Sequence, residues 1–218
     1  MDNKGHIQDL LMERLGSRIE HLGFIRNVRS RRFQKKVPLG KYSLHVTFIP
    51  HRDDLDLTAD VGIRFDSLQS LVHEVHEHYR APFFPEREKK NTFSFGAGLG
   101  HIDGGGQLRW TVATEADVDA VAAQLAEEFK RVGLPYFDRH ADPCRVLDVL
   151  ISGGREAEIL NSIPDKLAMN AVALAHICGR VDRLEYVADR MLSYLLQIPN
   201  SDPSVFLRFV NAISSFPQ

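Results

Sequence analysis

Residues 55–65 read Leu-Asp-Leu-Thr-Ala-Asp-Val-Gly-Ile-Arg-Phe, so that Leu55, Leu57, Ala59, Val61, Ile63 and Phe65 alternate with Asp56, Thr58, Asp60, Gly62 and Arg64. Successive side chains of a strand point to opposite sides, and the pattern predicts a strand with one face on a core and one face in water. Parallel sheets are covered on both faces and read as continuous apolar runs, so the sheet expected here is antiparallel. A doubly wound nucleotide fold, with its Gly-rich turn after an all-apolar strand, is disfavoured with it.

The same reading extends along the chain. Ile7, Leu10, Leu11, Leu15, Ile19 and Leu22 form one helical stripe, and Gly23 is placed to end it as a left-handed cap. Tyr42 to Ile49 is rich in β-branched and aromatic residues, and Pro38-Leu39-Gly40 supplies the turn of a hairpin feeding the long strand. Asp66 can cap a helix carrying Leu68, Leu71, Val72, Val75 and Tyr79, which ends before Pro82. Thr92–Phe95 and Leu108–Val112 read as short strands, the second with Leu108, Trp110 and Val112 inward, joined by a glycine-laden loop. Thr114 caps a helix whose Val118, Val121, Ala122, Leu125, Phe129 and Val132 share a face, with Gly133 and Pro135 placed to stop it. From Asp142 onward only helices are expected: Pro143 opens one, Ser152-Gly153-Gly154 breaks it, and others follow over roughly 165–178, 181–197 and 203–215. The expected fold class is α+β: a largely antiparallel sheet of four or five strands packed by amphipathic helices over residues 1–152, followed by an all-helical extension, 153–218, packed on it.

Composition narrows the partners. A net charge of -2, with 44% hydrophobic and 26% charged residues, gives no global attraction to nucleic acid or anionic lipid, so any such partner needs a local patch. The N-terminus enters a charged amphipathic pattern without an apolar leader, and no apolar run approaches a membrane span, which leads to the expectation of a cytoplasmic protein. Cys144 and Cys178 have no metal-like spacing and are expected as free thiols.

Three stretches together, Gly23-Phe24 through Arg32-Phe33, the alternating strand, and Arg109-Trp110-Thr111-Val112 through the Thr114 helix to Gly133-Leu134-Pro135-Tyr136-Phe137, resemble uncharacterised bacterial proteins of the domain of unknown function 4304 type. The resemblance covers roughly residues 5–150, carries no catalytic signature, and implies at most an immunity-like or interaction role.

The richest local signal is a charge block. From His21 through Arg52 there is no acidic residue, whereas Arg26, Arg29, Arg31, Arg32, Lys35, Lys36, Lys41 and Arg52 are all basic. With Phe24, Phe33 and Tyr42 interleaved, the block suits either an acidic protein partner or a single-stranded nucleic-acid groove. Edge-strand cations that merely discourage aggregation are the plainer reading. The expected binding residues are Arg29, Arg31, Arg32, Lys35, Lys36 and Lys41, together with His101 and Asp103 of a mobile Gly96–Gly106 loop whose spacing does not match a phosphate cradle. A rival reading is a small hydrolase or transferase using His101 and Asp103 or the His140–Cys144 neighbourhood. His73-Glu74-Val75-His76-Glu77 is one residue short of the zincin order and offers no third ligand. No cofactor and no metal are therefore expected, and the leading expectation is a non-catalytic protein-binding module.

Overall fold

The computed structural model describes residues 3–27, 30–78, 93–160, 163–199 and 201–215. The chain forms two compact units, one of Met1–Ile63 with Gly96–Arg139 and one of Arg64–Phe95 with His140–Gln218. The division differs from the break expected near Gly153.

In chain order the elements are α1 (Asn3–Ile19), β1 (Ile25–Asn27), β2 (Arg32–Val37), β3 (Gly40–Pro50), β4 (Leu55–Phe65), α2 (Asp66–His78), β5 (Phe95–Gly98), α3 (Leu99–Ile102), β6 (Trp110–Val112) and α4 (Glu115–Glu128). They continue with α5 (Leu134–Arg139), α6 (Pro143–Ser152), α7 (Arg155–Leu160), α8 (Pro164–Ile177), α9 (Leu184–Leu196) and α10 (Ser204–Ser214). The strands build one antiparallel sheet in the order β1-β2-β3-β4-β5, with β6 also pairing β4 through Leu55↔Val112, Asp56↔Thr111 and Leu57↔Trp110. This is an α+β protein.

The first unit is organised by alternation. Phe33 of β2, Leu44, Val46 and Phe48 of β3, and Leu57, Val61 and Ile63 of β4 are buried, and α1 packs on α4. Gly23 ends the first helical segment at φ 87, a conformation that costs a glycine least. The α4 cap is carried by Asp117, which accepts the backbone N–H groups of Thr114 at 2.8 Å and Ala113 at 3.1 Å and is thereby held below the usual carboxylate range. Beyond α4, Gly133 does not stop the helix. Residues Phe129–Gly133 widen into a π-turn that runs on into α5. The glycine is needed for packing, since a Cβ there would meet the Phe129 ring at 2.6 Å and Val61 Cγ1 at 3.1 Å. That turn brings Phe129 and Phe137 against Phe24, with centroids 5.0 and 5.8 Å away, while Phe137 stacks on Tyr42 at 4.4 Å.

The second unit centres on α8. Every residue from Leu167 to Ala175 is buried, because α2, α6, α9 and α10 all pack against this helix, which is why it reads as apolar nearly all round. Asn170 is 2% exposed, and its Nδ2 donates to the Ser94 carbonyl at 3.0 Å; the Ser94 hydroxyl accepts Phe65 N–H and Gln69 Nε2. The α2 helix thus belongs with the helical unit instead of adding a cover to the sheet domain. Among the described residues no helix is long and apolar enough to cross a membrane.

Several expectations are corrected. The long strand occupies 55–65 as expected, but its second face is not simply wet: Thr58 is 8% exposed, Gly62 is buried, and Asp56, Asp60 and Arg64 are half-buried. The strand expected at Thr92–Phe95 lies at Phe95–Gly98, so Gly96 and Gly98 belong to the sheet, while Thr92 lies outside the described residues. Leu108 falls outside β6 and is exposed. The two cysteines are joined in a Cys144–Cys178 disulfide with Cα atoms 5.7 Å apart, tying α6 to the turn after α8, so neither is a free thiol.

Candidate functional site

The β1-β2-β3 register sorts the basic block onto two faces. Asn27, Arg32 and His45 form one cross-strand row, Ile25, Gln34 and Ser43 a second, and Lys36 and Lys41 a third. Because the strand period is two, all eight side chains belong to one face, opposite the buried Phe33, Leu44 and Val46. No acidic residue stands in these strands. Arg32 faces His45 directly, and Lys36 faces Lys41, where like charges repel.

This face is apolar at its margins and donor-rich within. Ile25 is 73% exposed on the terminal strand and Leu39 is 51% exposed at the hairpin tip. Ser43 is 2% exposed, and its Oγ, like the buried Nε of Arg32, has no hydrogen-bond partner among the described residues. Burial draws the Arg32 guanidinium below its ordinary pKa. Burial, reinforced by the charges of Arg32 and Arg31, brings the His45 imidazole down to about 4, so His45 is neutral at physiological pH.

The remaining expected binding residues lie elsewhere. Lys35 is on the inner face, its stem over Gly23 and its ammonium 5.9 Å from the Phe24 ring centroid. Arg31 sits in a left-handed turn at φ 50 with its guanidinium over Phe48 at 5.2 Å. Arg29 lies outside the described residues. His101 lies in α3, and Asp103 in the turn that follows it. A Cβ on Gly98 would meet His101 Nδ1 and Asp60 Oδ1, and His101 lowers the pKa of an Asp60 carboxyl that burial raises. Asp103 takes a two-pronged ion pair from Arg131 at 3.1 and 2.8 Å, and Arg131 also reaches Glu128. Gly100 is packed so closely that a Cβ would lie 2.3 Å from the Gly106 carbonyl oxygen.

The catalytic groupings do not assemble as expected. Cys144 is consumed by its disulfide and cannot act as a nucleophile, and the buried His140 instead pairs with Glu156 at 3.1 Å. His73 is exposed on α2, while the His76 side chain lies outside the described residues. A set not anticipated from sequence, His51, Asp54 and Asp56, brings ligand atoms within 4.8 Å of one another at the β3–β4 turn. Asp56 is already engaged there by Thr111 at 2.7 Å, His51 at 3.1 Å and Arg109 at 3.7 Å, which also hold its carboxyl low. His51 and Asp56 therefore belong to an ion-pair network with Arg109. A cleft of about 350 Å³ between β6 and α4 is lined by Arg109, Trp110 and Gln124, among others, but Arg109 is committed to Gln107 and Asp56.

Reasoning from sequence missed Ile25, Gln34, Ser43 and His45. The signal was present in the parity of 41–48, where Lys41, Ser43, His45 and Thr47 alternate with Tyr42, Leu44, Val46 and Phe48. No protein-family model, curated protein or solved structure matches the chain.

Proposed function

We propose that this protein is a non-catalytic binding module, of immunity-like or regulatory type, that engages an acidic surface of another protein through the polar face of β1-β2-β3. The observation that carries this reading is the three-row register: Arg32, Lys36, Lys41 and His45 share one face of three strands that hold no acidic residue, flanked by exposed Ile25 and Leu39. A charged field interrupted by aliphatic anchors suits a protein surface, where a few buried apolar contacts supply affinity and charge supplies orientation and rate. Nucleic-acid binding is less well supported. Base stacking needs exposed rings, whereas Phe24 and Phe33 are buried and Tyr42 is stacked on Phe137. An enzymatic role has lost its thiol, and Asp103 is clamped by Arg131.

The test is fluorescence anisotropy with a labelled oligo-glutamate peptide and a labelled single-stranded oligonucleotide. The peptide is expected to bind, and Lys36→Glu with Lys41→Glu to weaken it at least about tenfold, as charge reversal in a matched interface does. Tighter binding of the oligonucleotide, or no binding of the peptide at low salt, refutes the proposal.

A further inference from the structure

Within that face, the first row has a geometry the others lack. Arg32 and His45 are direct cross-strand partners, and Ser43 stands two residues from His45 on the same side of β3. Arg32 Nε and Ser43 Oγ are buried donors with no hydrogen-bond partner among the described residues. Buried donors are costly when unmet, and a carboxylate offers two oxygens with about four acceptor sites. We propose that a carboxylate of the acidic partner is received between Arg32 and His45, and that His45 takes up a proton as it binds, so that recognition tightens on acidification. This inference rests on the reading of the polar face as a docking surface.

The linkage follows from the charges around His45. Those acting on it are Arg32 and Arg31, both positive, and with burial they hold it at about 4 in the unbound protein. Lys36 and Lys41 extend the same field along the face. On β4 the same face presents Asp56 and Asp60; Asp56 is taken by Thr111, His51 and Arg109, and Asp60 interacts with His101 of α3. A carboxylate placed against the imidazole reverses the local field, favouring the charged form. A group whose pKa rises on binding makes affinity increase as pH falls between the bound and unbound values. A glutamate partner stays largely ionised down to about 4.3, so the window lies at about pH 5–7.

The experiment measures oligo-glutamate affinity at about pH 7.5 and about pH 5.5. If binding restores an ordinary imidazole pKa, affinity rises about tenfold between the two. His45→Gln removes that rise, and Asp60→Asn keeps it. Direct evidence comes from the proton NMR titration of His45, whose midpoint moves from about 4 to above about 6 when the peptide is added. Affinity that does not change with pH, or a rise that survives His45→Gln, overturns the inference and leaves the docking surface standing. Absence of binding at both pH values overturns the docking surface itself.

Discussion

Replacing Cys144 and Cys178 together with serine opens the only covalent cross-link between the described segments of the chain. The bridge closes a loop with a sequence separation of 34, from the start of α6 to the turn after α8. In the chain-entropy account, such a loop restricts the unfolded ensemble by about 3.8 kcal/mol at 25 °C. Of a total stability of about 5–15 kcal/mol, that is a large share. The other tie across the same helices, the Arg180–Asp148 ion pair, is too exposed to compensate, since such pairs contribute about 0.2–1 kcal/mol. Urea unfolding followed by far-UV ellipticity is the assay, run on the oxidised protein, the reduced protein and the double variant. Trp110, the single tryptophan and part of the other unit, provides a second probe. The midpoint is expected to drop on reduction, to drop equally in the variant, and to ignore reductant in the variant. Equal midpoints for oxidised protein and variant, or two titratable thiols in unreduced native protein, refute the reasoning.

Other outcomes follow from single features. Because His45 is held at about 4 in the folded state against 6.5, the unfolded chain binds more protons in between, so stability falls as pH drops through that window. The loss at about pH 5 is about 1 kcal/mol once solvent screening is discounted, and pH-dependent thermal melts of His45→Gln are expected to lack it. Gly100→Ala drives a methyl group into the Gly106 carbonyl, and a loss of about 2 kcal/mol or more is expected in chemical unfolding. Asn170→Ala leaves the Ser94 carbonyl short of a buried donor, and calorimetry is expected to show a loss of about 1–3 kcal/mol. Arg131→Ala removes ion pairs that are half in water, so a cost below about 1 kcal/mol is expected despite their close geometry.

What was legible in the sequence was what periodicity alone decides. The bounds of β4, the Gly23 cap, the α4 start at Thr114 and α6 between Pro143 and Gly153 are fixed by local chemistry and came through directly. The misses arose where a distant neighbour overrode a local rule. Gly133 and Pro135 read as a stop, yet a tight fit against Phe129 and Val61 carries the backbone through a π-turn. Gly96 and Gly98 read as loop because glycine disfavours strands, yet pairing with β4 recruits them. Three-residue β1 and six-residue α7 are too short to leave a period. The basic block was visible as composition, but which cations share a side depends on the β1-β2-β3 register, and that placed Lys35 inward and added His45. The cysteine pair lies 34 residues apart, a distance over which sequence spacing says nothing about contact.

The helical unit is assembled from two stretches of chain that synthesis delivers at different times. During translation α2 leaves the ribosome well before α8 and α10, the helices that will shelter Leu68, Leu71 and Val75. Until then those side chains are a sticky surface on a nascent polypeptide, of the kind chaperones recognise. Slow elongation between codons 95 and 140 therefore prolongs the hazard, and a terminator anywhere in that interval would strand α2 without shelter for good.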